Sequence, residues 1–149
     1  MTDNTDSAWP NSPPAVGESA RLSRTVERED IEKFSEISGD FNPLHYDEAA
    51  AEASQFGELV VQGGITSAIL NAVVAQELPG PGTVFLNVDW NFEAPVRPGE
   101  TITGIVEVTD VRTDKPITEM ETRVVRDDDV TALEGTAVCY TMDVTQEST

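Results

Sequence analysis

Residues 63–78 read Gly63-Gly64-Ile65-Thr66-Ser67-Ala68-Ile69-Leu70-Asn71-Ala72-Val73-Val74-Ala75-Gln76-Glu77-Leu78, and this stretch decides the fold. Ile65, Ala68, Ile69, Leu70, Ala72, Val73, Val74 and Ala75 leave almost no polar side, which predicts a long helix buried nearly all round. Pro79-Gly80-Pro81-Gly82 stops it. Such a helix needs cover, and the C-terminal half of the chain supplies it. Val84, Leu86, Val88, Trp90 and Phe92 alternate with Phe85, Asn87, Asp89 and Asn91 at a period of two, the mark of a strand, with Trp90 and Phe92 read as core. More strands are expected over 101–111, 117–126 and 131–142, divided by the polar turns Thr113-Asp114-Lys115 and Asp127-Asp128-Asp129. The fold class predicted is α+β, a curved antiparallel β-sheet wrapped around one central α-helix.

Upstream the pattern changes. Residues 1–15 are polar and rich in Pro, Asn and Ser, which predicts a flexible leader. Its Trp9 could dock on the body, but a solvated tail is the default. A single domain is expected over 16–144, with a flexible C-terminus over 145–149. A first strand is expected over about 18–26, then a helix opening at Arg28-Glu29-Asp30, whose acids suit a first helical turn. Ile31, Phe34 and Ile37 would form its apolar face, and Gly39 would end it. Pro43 keeps Asn42 out of helical geometry, so 40–47 is expected to be a stiff, extended overhang and not a helix. A small Ala-rich helix is expected over 48–54.

The chain has 149 residues, with 9 Lys+Arg against 28 Asp+Glu, a formal net charge of −19. One domain of this size can bury a proper core. A surface so negative repels phosphate backbones and anionic headgroups, so neither nucleic acid nor membrane is an expected partner. Leu, Ile, Val and Phe number 36 of 149, above the roughly 20% below which disorder is expected. The acids are spread through every segment, a balance that suits a cytoplasm rich in salt, where the Debye length falls to about 3 Å at 1 M. The lone cysteine, Cys139, forbids an internal disulfide and reads as a small core residue. With one histidine and one cysteine, no zinc site is expected.

That histidine, His45, sits five residues after Asp40 in the proline-stiffened segment. A carboxylate and an imidazole on an irregular backbone can together activate a water. Asn42 can hold the turn through local hydrogen bonds. Amides at the start of the buried helix, at Gly63 and Gly64, can receive negative charge developing on an oxygen. The same residues also make good turn chemistry, and a lone histidine is often structural. Spacing alone leaves both readings open.

Gly39-Asp40-Phe41-Asn42-Pro43-Leu44-His45-Tyr46-Asp47 resembles the D-x-N-P-x-H signature of the MaoC-like (R)-specific enoyl-CoA hydratases, of hot-dog fold. The likeness extends through Phe56-Gly57, Val60-Val61-Gln62-Gly63-Gly64, the 78–83 and 92–100 stretches and Asp114-Lys115-Pro116, roughly 17–142 in all. It implies that Asp40 and His45 activate the water added to a trans-2-enoyl-CoA, with Asp40 as base and His45 as proton donor. It implies that the Gly63 amide stabilises the thioester enolate, and that the site lies at a homodimer interface. No cofactor is implied, since CoA is part of the substrate. The short single-domain members supply (R)-3-hydroxyacyl-CoA for polyhydroxyalkanoate synthesis.

Two departures stand out. Where many relatives read V-H-G-M, this chain has Val61-Gln62-Gly63-Gly64. Asn71 falls where a small residue often faces the acyl tunnel, which favours short chains unless Asn71 is simply an interior residue with a hydrogen-bond partner. Asn42 and Gly64 complete the expected substrate contacts. Arg97 and Lys115 are candidates for the CoA phosphates, with plain solvation as the alternative. A hot-dog thioesterase is the main rival, although such enzymes place an acid on the central helix and none occurs between Gly63 and Gln76. A non-catalytic acyl-CoA binding module and a MaoC-like dehydratase of another enoyl-CoA pathway are the others.

Overall fold

Two tight hairpins after residue 101 lay three strands side by side. The computed structural model describes residues 8–144. Its strands β3 (Thr101–Val111), β4 (Ile117–Arg126) and β5 (Thr131–Thr141) form the middle of one sheet. The outer strands are β1 (Ser19–Thr25) and β2 (Thr83–Phe92), in the order β1-β3-β4-β5-β2, and each pairing is antiparallel. The β4–β5 turn is held by Asp129, whose φ of 67° is left-handed, and by Arg126, which donates to Asp128 through Nε and Nη2. That guanidinium holds the exposed Asp128 carboxyl down at about 2.

Helix α3 (Gly63–Gln76) crosses the concave face of the sheet. It buries Ile69, Leu70, Val73 and Val74 against Ile102, Val106, Val108, Met120, Val124, Leu133 and Ala137. In β3 the burial alternates strictly from Ile102 to Val108, as a half-buried strand requires. Gly104 lets the helix come close: a Cβ there would lie 2.9 Å from Ile69 Cγ2. Cys139 is fully buried, and desolvation pushes its thiol up to about 12, an inert core group. The hot-dog fold is thus present. Among the described residues no helix is long and apolar enough to cross a membrane.

Four local expectations need correction. The alternation in β2 is broken by a bulge between Phe85 and Asn87. Phe85, Val88, Trp90 and Phe92 therefore share the helix side, opposite Cys139, Ala137, Gly135 and Leu133. Yet β2 is an edge strand, and Val88 and Phe92 remain exposed; Phe92 is not core. In helix α1 (Arg28–Ser38), Ile31 and Ser35 are buried while Ile37 is 84% exposed, because Ile37 lies six residues and about 120° around from Ile31. Helix α3 is not enclosed all round, since Ala68 and Asn71 face outward. Finally, Trp9 is docked, not a solvated tail: it is buried and its Nε1 donates to the Arg112 carbonyl at 2.6 Å. An indole gains both apolar cover and a partner there. Residues 1–7 and 145–149, read as parts of flexible ends, lie outside the described residues.

Candidate active site

Helix α1 stops at Gly39, whose φ of 79° reverses the chain and launches residues 40–47. Asp40 then folds onto its own loop. Its Oδ1 accepts the Asn42 amide at 3.1 Å, and its own amide donates to Ser38 Oγ at 3.0 Å. Asn42 is extended, as Pro43 demands, and its Oδ1 accepts the Leu44 amide at 3.1 Å. The expected overhang is not extended throughout. Pro43–His45 closes one turn of 3-10 helix, for which proline at the first position is well suited. That turn carries His45 inward.

His45 is only 9% exposed, and its Nδ1 lies 2.6 Å from the Val60 carbonyl oxygen. A carbonyl can only accept, so Nδ1 carries a proton in either charge state of the ring. The exchangeable position is therefore Nε2. It faces Asp40 Oδ2 at 3.8 Å, too long for a direct hydrogen bond and short enough for one water to touch both groups. Asp40 is 39% exposed, so the pair opens to solvent on the carboxylate side only. No sequence pattern announces Val60, because it acts through a carbonyl that every residue has.

The other half of the site is the start of α3. Gln62 caps the helix in extended geometry, and Ile65 and Thr66 return their amides to the Gln62 carbonyl. The Gly63 and Gly64 amides meet no acceptor among the described residues, as expected for a first helical turn. The two glycines differ. A Cβ at Gly64 would fall 2.2 Å from Phe34 Cζ, so Gly64 exists to let α1 pack on α3. A Cβ at Gly63 would approach the Phe92 ring at 3.1 Å, which places Phe92 as a wall beside the Gly63 amide. Sequence periodicity hid that role because Phe92 falls in register with core positions.

A MaoC like domain matches residues 12–130. The chain is 37% identical over 123 residues to the (R)-specific enoyl-CoA hydratase of Aeromonas caviae, covering 83% of this chain and 92% of that one. The chain belongs to the MaoC-like family. A second relative, the (R)-specific enoyl-CoA hydratase of Rhodospirillum rubrum, is 36% identical over 106 residues, 71% of this chain and 74% of its own. The solved (R)-hydratase from A. caviae involved in PHA biosynthesis superposes with a TM-score of 0.82 at 36% identity, covering 87% of this chain and 98% of that one.

Within this MaoC-like chain the remaining expected contacts are not gathered at the site. Asn71 is exposed on the outer side of α3, two turns beyond Gly63, so it is not an interior residue. Arg97 is not a free surface cation: its side chain is largely buried and its Nε lies 2.5 Å from Glu58 Oε2. Lys115 is exposed in the β3–β4 hairpin. Val61 bonds to Val96 in the loop before β3 and Val60 to Leu44, so the 40–47 loop lies at the start of that strand and Lys115 beyond its other end, roughly 33 Å of extended chain away. Lys115 therefore does not adjoin Asp40 in a single chain, and Arg97 is engaged by Glu58.

Proposed function

We propose that this protein is an (R)-specific enoyl-CoA hydratase, and that Asp40, His45 and the Gly63 amide carry the reaction. The observation that bears most weight is the 3.8 Å gap between Asp40 Oδ2 and His45 Nε2, with the opposite ring nitrogen tied to Val60. One water fits that gap at about 2.8 Å from each group. Asp40 takes a proton from this water as its oxygen bonds to the β-carbon of the enoyl thioester. The carbon–carbon π electrons move onto the thioester oxygen, which the Gly63 amide receives. Nε2 of the protonated ring then delivers its proton to the α-carbon, and the proton on Asp40 returns to Nε2. Atoms and charge balance with no cofactor.

The active assembly in this proposal is a homodimer. Support comes from the open edge β2, which exposes Val84, Leu86, Val88 and Phe92, and from the outward side of α3. A second copy laid along β2 would cover both and enclose Phe92 and Asn71 beside the substrate. Short acyl chains follow if Asn71 then narrows the tunnel. Arg97 and Lys115 contribute to the CoA phosphates only through that assembly. A cytoplasm rich in salt completes the proposal, because a charge of −19 repels polyanionic CoA unless it is screened. The product would feed polyhydroxyalkanoate synthesis.

Crotonyl-CoA with purified protein in molar KCl tests this. The conjugated enoyl absorbance should fall and (R)-3-hydroxybutyryl-CoA should form, with apparent KM falling as salt rises. Asp40→Asn and His45→Gln should each lower kcat by about 100-fold or more in a folded protein. Release of free thiol would establish a thioesterase instead, and no turnover a binding module.

A further inference from the structure

Behind the site lies a buried polar cluster that the mechanism does not use. Ser35 on α1 is fully buried. Its hydroxyl accepts from Gln62 Nε2 at 2.9 Å and is hydrogen-bonded to the Tyr46 hydroxyl. Gln62, itself 1% exposed, donates a second bond to the Ile31 carbonyl at 3.2 Å. The Tyr46 hydroxyl reaches that same carbonyl at 3.4 Å. Three elements therefore meet on one turn of α1.

The places of these residues in the chain matter more than their number. Tyr46 directly follows His45, and Gln62 directly precedes Gly63. Ser35 lies one helical turn before Gly39, from which Asp40 departs. Each group assigned to the chemistry is thus tethered, through the backbone, to one member of the cluster. The Phe41 ring stacks on the Tyr46 ring at 6.1 Å and 20°, which limits how far the loop can swing.

Stability alone does not account for such a cluster. Gln62 Oε1 is buried with no hydrogen-bond partner among the described residues, a desolvation cost that an apolar side chain would avoid. Leu or Met could fill the same volume. What an apolar residue could not do is fix the start of α3 against a particular carbonyl and hydroxyl of α1, since apolar contacts are non-directional.

We infer that Ser35, Tyr46 and Gln62 form a positioning network that holds the Asp40–His45 loop and the Gly63 amide at a fixed separation for hydration. This network has that role only if the protein is the hydratase proposed for it. None of the three side chains touches substrate. The network acts through geometry and leaves the pH profile in place.

Tyr46→Phe removes one hydroxyl from a half-buried ring and keeps the stacking, so it is the leading variant. It should lower kcat about tenfold, with KM within about twofold and an unchanged pH profile, as expected for sub-ångström misplacement of reacting groups. Gln62→Met should act likewise. The double variant should lose much less than the product of the two single effects, because both act through Ser35. His45 is the only histidine, so its ring resonances report the same site without turnover. They should shift or broaden in Tyr46→Phe while the Trp90 indole signal stays put. Wild-type kcat in folded Tyr46→Phe overturns the inference. So does a loss that merely follows a lower Tm with His45 signals unchanged. If the wild-type protein does not hydrate crotonyl-CoA, the hydratase reading itself fails, and the inference falls with it.

Discussion

The two edges of the sheet are built differently. Strand β1 is seven residues long and carries Arg21 and Arg24, with only Ala20 and Leu22 partly buried. Strand β2 is ten residues long and exposes Val84, Leu86, Val88 and Phe92. Both have an unpaired row of backbone groups, which another strand could extend. Charge guards the first, whereas the second has none from Val84 to Val88. Of the two, β2 is the edge that the proposed second copy would use, and it ends at Phe92, beside Gly63. On the proposed dimer, assembly and chemistry share one edge.

The seating of β2 on β5 offers the strongest way to break this contrast. Gly135 in β5 opposes Trp90, and a Cβ there would fall 1.9 Å from the Asp89 carbonyl oxygen. Backbone cannot step aside, so Gly135→Ala should destabilise the protein by about 3 kcal/mol and loosen β2, read as a lower midpoint in denaturant. Gly104 in β3 opposes Leu22 of β1, but there the nearest obstacle is not β1: it is the Ile69 Cγ2 methyl of α3, a side-chain atom, at 2.9 Å. Gly104→Ala should therefore lose only about 1 kcal/mol. Equal losses would mean that the helix side chain over β3 yields no more readily than the β2 backbone beside Gly135.

Next in size is a charge placed on the exposed edge. Val88→Lys should separate the proposed dimer in light scattering and lower activity at least tenfold, about 1.4 kcal/mol in free-energy terms. Ser23→Lys on β1, also exposed, should change neither. A dimer that survives Val88→Lys at full activity would move the interface away from β2.

The smallest expected effect lies between the edges. Glu107 and Glu121 stand directly opposite each other in β3 and β4, and Asp110 opposes Glu119, all exposed. Like charges so placed repel by a few tenths of a kcal/mol, and salt screens them. Glu121→Gln should raise Tm slightly in dilute buffer and not in molar KCl. An equal gain in both would remove screening as the basis of the proposed salt dependence.

Much of this was legible in advance. The apolar stretch after Gly63 and the period of two in β3 state their burial directly, because a buried face must be apolar wherever the chain places it. The closeness of Asp40 and His45 was legible too, since Pro43 stiffens the short span between them and limits how far apart they can be. The errors came where a neighbour decides. Phe92 keeps the strand register of a core residue yet stands at an open edge, and Arg97 looks solvated until Glu58, from a distant part of the chain, is brought beside it. Trp9 looked like tail because a terminal sequence does not record what it rests on.

Sequence alone determined the central helix, the meander and the short span between Asp40 and His45, all of which follow from hydrophobic period and local backbone restriction. Tertiary structure decided which His45 nitrogen can move a proton, through a Val60 carbonyl fifteen residues away. It also decided that the apolar face of β2 stays uncovered in a single chain. Each of those depends on which atoms lie opposite a side chain, and pairing between distant residues leaves no periodic trace in one sequence.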